Sequence, residues 1–434
     1  MTPPRLLPAL AYARTVATVW ILLPLAALSL PVWDWPIPSF PALYAVIGVF
    51  TACFWLGCFL ASALLEALPP GVAADHHTYR GTNAILVLVA ILNLATLFSR
   101  ASFNPFTCAD LLACTNDAYQ AYVAGAGSGA DSGFEYLRIA LSPLIYGALA
   151  FSLWGSIGKS SRSTRALQWA VIGSEVLVAV ATGTSRNIGN VLLFAVFIAG
   201  VRRRASGDAA KPRSVWMYIG GAIALIAFLS YFAFTQLNRE GAVAAVGLLP
   251  FNGGFIEALS YTSDNDSVLL KAVESITRYL ASGYFCLAMA LDLKVGLTFP
   301  FGSSMFLARR AITATGDDGY VTLSLPGQME SIYRWSYSQQ WQSIFTWLLS
   351  DYGYVGTGIV MIGIGFFFIA TLGVALTSNS LISKLGAMIG FIMVVYIPAN
   401  NQVFQTPETF AAFVFGAAVL FYTLLNRRHT PTRG

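Results

Sequence analysis

The sequence predicts an all-α polytopic membrane protein with about ten transmembrane helices, or up to about twelve with re-entrant elements. Three observations carry this prediction. Of 434 residues, 56% are hydrophobic and only 10% charged, with a mean hydropathy of +0.66, against about 25% charged in a soluble protein. Apolar stretches of roughly 17 to 25 residues, enough for a helix to cross a bilayer core, recur along the chain. Basic residues also crowd into alternate loops, as orientation by positive charge requires.

Hydropathy places spans at 14–32, 42–65, 83–99, 138–157, 166–184, 187–201, 214–235, 348–376, 386–400 and 408–425. With the N-terminus cytoplasmic, the inside segments hold 15 of the 25 basic residues but only Glu66, Asp75 and Asp208 of the 20 acidic ones. That asymmetry puts both termini inside, and "RRRASGDAAKPR" at 202–213 is the strongest anchor. The first apolar run precedes small residues ("PLAALS"), but it is longer than the apolar core of a usual signal peptide and reads as a retained anchor.

Three regions follow. Residues 1–235 form an N-terminal bundle of about seven spans. Residues 236–347 form a large external, interfacial region, and 348–434 supply about three more spans and a cytoplasmic tail. The external region is too long for a simple connection and too apolar for disorder. Within it Leu269, Val273, Ile276, Leu280 and Tyr284 recur at helical spacing, predicting a helix that lies on the membrane or dips into it. A shorter external loop at 100–137 is rich in Gly, Ser and Asp. Its Cys108 and Cys114 suit a disulfide in an oxidising compartment, with two unpaired thiols as the alternative.

The turn "ATGTSRNIGN" at 181–190 joins two apolar segments yet carries Arg186. Asn187 begins the next helix, so unpaired N–H groups and the positive end of the helix dipole point at the same spot. Arginine beside a helix N-terminus suits a phosphate; the competing reading is a guanidinium snorkelling to bulk lipid phosphates. Arg239, Arg278 and Arg334 also fall outside, which together suggests a pocket for a diphosphate, although Arg278 can instead pair with Glu274 four residues earlier. Arg309 and Arg310 read as a solvated rim. In "YRWSYSQQWQSIFTW", Trp335, Tyr337 and Trp341 offer ring faces suited to sugars, or else form an interfacial aromatic belt, the reading that suits Trp347.

Transfer to a sugar hydroxyl needs a base. Among external carboxylates, Glu257 in the apolar, Gly-rich "FNGGFIEALSY" is the leading candidate, whereas Asp351 reads as an N-terminal helix cap. Glu175 lies mid-span and should face the bundle interior. No phosphate-binding Gly loop followed by Lys and Ser/Thr occurs, and no His lies near the external cysteines, so no nucleotide, metal or other cofactor is expected. Nor is nucleic acid expected as a partner.

Three stretches, "TGTSRNIGNVLLFAVF", "YLASGYFCLAMAL" and "WQSIFTWLLSDYGYVGTGIVMIGIGFFF", together with the number of spans, resemble Wzy-type polymerases of lipid-linked oligosaccharide repeat units, within the O-antigen polymerase and ligase superfamily. The resemblance implies an inner-membrane glycosyltransferase. It would join undecaprenyl-diphosphate-linked oligosaccharides on the periplasmic face without a metal. Arg186 matches the family's Ser-Arg position, and the other arginines match only in being external. Bilayer lipids, a chain-length regulator and a flippase of the same pathway are the further partners it suggests. The related O-antigen ligases are expected to use a periplasmic histidine, whereas His76, His77 and His429 here are all predicted cytoplasmic. A transporter or flippase of lipid-linked sugars is the other alternative, though no internal repeat of the kind such proteins favour is evident.

Overall fold

The computed structural model describes residues 6–30, 35, 37–67, 79–100, 114, 133–155, 161–182, 185–207, 226, 229–230, 248–251, 254–257, 268–299, 301–333, 335, 337, 340–378 and 380–429. Among these the protein is predominantly helical. Helices α1 (Leu6–Leu28), α2 (Phe40–Ala67), α3 (Tyr79–Arg100), α4 (Gly133–Gly155), α5 (Arg162–Ala181) and α6 (Ser185–Ala205) precede the long central region. Helices α11 (Ile344–Thr377), α12 (Leu381–Val395), the short α13 (Gln402–Gln405) and α14 (Pro407–His429) follow it. Seven of the described helices are long and apolar enough to cross a membrane, which makes this a multi-pass helical membrane protein.

Those seven overlap expected spans 14–32, 42–65, 83–99, 138–157, 166–184, 348–376 and 408–425, the first of them beginning earlier, at Leu6. The expected span 187–201 falls on α6, whose polar first turn and terminal Arg202, Arg203 and Arg204 dilute its hydropathy. The span at 386–400 falls on the 15-residue α12, and 214–235 lies almost wholly outside the described residues.

The bundle is built around α11 and α12. Helix α2 lies along α11, while α12 packs against α11, α4 and α14. Close approach of α2 to α11 depends on missing side chains. A Cβ at Gly57 would stand 1.9 Å from the Ile362 carbonyl oxygen, and one at Gly365 2.0 Å from that of Phe54. Small residues let transmembrane backbones meet where no hydrophobic driving force separates helix from lipid. Aromatic side chains fill the remaining space, with Phe194 and Phe197 of α6 against Phe391 of α12.

Helix ends are closed by side chains. The hydroxyls of Ser161, Ser343 and Ser380 accept from the N–H groups of Thr164, Thr346 and Ser383 at 3.1, 3.3 and 3.1 Å. At the far end of α11, Lys384 donates to the carbonyls of Ala375 and Ser378 and sits over the Trp154 ring.

Between α6 and α11 in the chain lie a hairpin, β1 (Leu248–Phe251) with β2 (Gly254–Glu257), and helices α7 (Val268–Ala290), α8 (Met305–Thr315), α9 (Gly319–Thr322) and α10 (Leu325–Tyr333). Helix α7 is the one anticipated from periodicity. Its C-terminal half, Ala281 to Ala290, is buried, so it docks into the bundle rather than lying on its surface. Tyr284 donates to the Ile21 carbonyl at 2.9 Å, and a Cβ at Gly283 would reach within 2.0 Å of the Pro398 carbonyl oxygen.

Asp351 corrects a sequence expectation. Ser343, not Asp351, caps α11. Asp351 Oδ1 instead accepts from the Gly302 N–H at 2.8 Å and the Thr298 hydroxyl at 3.0 Å, and Oδ2 accepts from the Ser303 N–H at 2.8 Å. Two residues on, Gly353 takes φ 60° and kinks α11, a conformation that costs a side chain but not glycine. Near the other long loop, Cys114 is disulfide-bonded while Cys53, Cys58 and Cys286 are free; Cys108, its expected partner, lies outside the described residues.

Candidate anion site

Arg186 occupies the second position of α6, which starts two residues earlier than expected. Thr182 caps the C-terminus of α5, and its hydroxyl donates back to the Val178 carbonyl at 2.8 Å. The short connection leaves the start of α6 beside the end of α5. Arg186 and Asn187 there line a polar cavity of about 60 Å³, room for roughly four waters.

Two of its walls come from helices distant in sequence. Helix α4 contributes Arg138, Ser142 and Tyr146, α5 contributes Glu175, and the entry to α14 contributes Thr406 and Glu408. Helix α3 braces the cluster from behind. The Thr96 hydroxyl accepts from Arg138 at 2.7 Å, and Asn93 donates to the Ser174 hydroxyl at 3.1 Å. Arg138 Nε lies 3.9 Å from Glu408 Oε1, beyond hydrogen-bond reach, and has no hydrogen-bond partner among the described residues. Asn187 Nδ2 donates to Glu175 Oε1 at 3.4 Å, while Glu175 Oε2 and Asn93 Oδ1 have no such partner. Buried polar atoms left open in a membrane interior are costly and mark function more often than packing. Two guanidiniums, aligned N–H groups at a helix start and open carboxylate oxygens can hold an oxyanion and exchange a proton with it.

The other residues singled out from sequence are spread more widely. Arg278 is half-buried on α7, and the side chain of Glu274 lies outside the described residues. Beside Arg278, the Tyr279 ring packs edge-on against Trp341 at 4.8 Å, and Trp341 against Tyr396 at 5.9 Å. The Tyr396 hydroxyl donates to Asn190 Oδ1 at 3.0 Å, one turn along α6 from Arg186. An aromatic bridge thus runs from the neighbour of Arg278 to the helix of Arg186.

Trp335 is only 3% exposed, packs on Phe285 and donates its indole N–H to the Trp341 carbonyl at 3.1 Å. Tyr337 is half-buried against the cluster of Met305, Ala308, Val321 and Trp347. Burial, and then the Glu330 carboxylate, push its phenol above the ordinary range, with Arg309 opposing. Trp347, assigned to an aromatic belt from sequence, is instead 2% exposed in that cluster. Glu257 ends β2, paired in register with Leu248, and its side chain lies outside the described residues, as do Arg239 and Arg334. Among the described residues no three His, Cys, Asp or Glu side chains are grouped to hold a metal.

Sequence reading missed Arg138 and Glu408. The signal for Arg138 was a charged residue at the start of an expected span, with Ser142 and Tyr146 following on one helical face. Comparison with protein-family models, with curated proteins and with solved structures finds no match.

Proposed function

We propose that this protein is a glycosyltransferase of the bacterial inner membrane. It would join undecaprenyl-diphosphate-linked oligosaccharides on the periplasmic face, with both termini cytoplasmic and about ten spans. The observation that carries the reading is the shared cavity of Arg138, Arg186 and Asn187 at the start of α6. In the reaction the acceptor hydroxyl attacks the anomeric carbon of the donor glycan. The bond from that carbon to the lipid diphosphate breaks, and the diphosphate leaves with the bonding electrons. The acceptor proton passes to a carboxylate, for which Glu257 is the candidate from sequence. The arginines stabilise charge growing on the leaving diphosphate, where removing one preorganised donor typically costs about 10²–10³ in rate. Sugar-binding aromatics fit the same reading, with Trp341, partly buried between Tyr279 and Tyr396, better placed than the fully buried Trp335.

In cells, Arg186→Ala is expected to leave protein in the membrane but abolish long-chain polysaccharide, measured as glycan length on gels; unchanged chain lengths refute the reading. One observation favours transport of lipid-linked sugars instead: the polar cluster of Asn93, Ser174 and Glu175 lies inside the bundle, where carriers place their sites. A deletion strain separates the two. Single repeats surviving on the external carrier indicate a polymerase, and loss of all external repeats indicates transport.

A further inference from the structure

The cavity at α6 carries a feature that an anion site alone does not need. Its two arginines are matched by two carboxylates, so the lining is close to neutral before any ligand enters. A phosphate-type dianion placed between Arg138 and Arg186 would bring excess negative charge into a poorly solvated space beside Glu175 and Glu408. The few waters that fit there screen that excess poorly, and protonation of one carboxylate relieves it.

We propose that the cavity binds a phosphate-type dianion together with one proton, and that Glu175 is the group that takes up the proton. This rests on the anion-binding reading of the site and adds proton linkage to it.

Three observations choose Glu175 over Glu408. Glu175 lines the cavity and is 7% exposed, and its buried Oε2 has no hydrogen-bond partner among the described residues, an open position for a proton. Its Oε1 contact, a 3.4 Å bond from the Asn187 amide, is a neutral donor that serves a carboxyl as well as a carboxylate. Glu408 is better held as an anion. Its side chain is 18% exposed, it faces Arg138 Nε at 3.9 Å, and it sits in the first turn of α14, where the helix dipole favours negative charge.

Groups facing Glu175 come from each helix packed on α5 and from across the cavity. Among the described side chains, helix α3 presents Asn93 and Thr96 and no titratable group. Helix α4 presents Arg138 and Tyr146, α6 presents Arg186 and Asn187, and α14 presents Glu408. An arriving anion draws Arg138 and Arg186 toward itself, so Arg138, the cation that favours an ionised Glu175, is one the ligand engages. Proton uptake with binding follows.

The test uses the full chain in lipid nanodiscs and calorimetric titration in buffers of different ionisation enthalpy. Inorganic diphosphate and farnesyl diphosphate are the probes, so a free anion and a lipid-borne headgroup are compared directly. Because diphosphate itself titrates, the quantity read is the difference between the wild type and Glu175→Gln. The wild type should take up about one more proton per ligand than the variant, and its affinity should weaken by up to about tenfold more per pH unit of increase. The same difference is expected with both probes, with the isoprenoid form binding more tightly. Glu408→Gln should retain the extra proton.

Infrared difference spectra of the unmutated protein give a reading independent of folding in the variant: a protonated-carboxyl band should grow when diphosphate is added. Binding that is lost in Arg186→Ala but carries no such band and no excess proton overturns the proton linkage alone. Absence of binding by either probe overturns the anion site itself.

Discussion

Segment 401–413 separates two cavities of opposite character. On one side Thr406 and Glu408 face the arginines of the polar cavity. On the other, Asn401, Phe404 and Phe413 line an apolar groove of about 360 Å³ with Leu348, Ile364, Phe367 and Met393. The groove is several times larger than the polar cavity, and beyond Ser303, Asn401 and the Tyr352 hydroxyl its side chains offer no polar group. The polar cavity is small but leaves donors and acceptors open, and each unmet group there costs about 1–3 kcal/mol unless a ligand or water meets it. Volume and polarity therefore point in different directions, and the smaller space holds the unmet polar groups.

The sharpest way to break that contrast is to remove Arg138. If the polar cavity is the anion site, Arg138→Ala lowers diphosphate affinity by about 100-fold or more, since it deletes a charged partner of the ligand and leaves the Glu408 carboxylate facing the anion with no cation beside it; calorimetry on purified protein measures it. An intermediate effect is expected at Asp351. Replacing it by Ala leaves the Gly302 and Ser303 amides without their acceptor, which should destabilise the protein by about 1–3 kcal/mol, read as a lower melting temperature in detergent. The smallest effect belongs to the groove. A Cβ at Gly363 meets no atom within 4 Å, so Gly363→Leu should leave inorganic diphosphate affinity within about twofold, because the two spaces are separate. A loss comparable to that of Arg138→Ala would show that they work as one.

How much of this was legible beforehand depends on the distance over which each feature is written. Spans are local: an apolar stretch carries its own signal, and α1 to α5, α11 and α14 lie where hydropathy put them. The Arg186–Asn187 corner is also local, a turn followed by a helix start. Arg138 and Glu408 join it only through packing of α4, α5 and α14, and no spacing in a single sequence encodes that meeting. Trp335 shows the opposite failure. Aromatic composition suggested an open platform, but Phe285 and the Trp341 carbonyl claim the ring. The hairpin was readable and overlooked, for Asn252-Gly253 between β1 and β2 is a strong two-residue turn signal. Asp351 was visible as a charge before a Gly-rich span, but its partners lie 48 and 49 residues earlier.

That separation has a consequence for how the chain is made. Gly302 and Ser303 leave the ribosome well before the carboxylate that receives their N–H groups. At roughly 5–20 residues per second, they wait several seconds for it. The turn ahead of α8 closes only when α11 has been synthesised, which makes it a late joint in biogenesis.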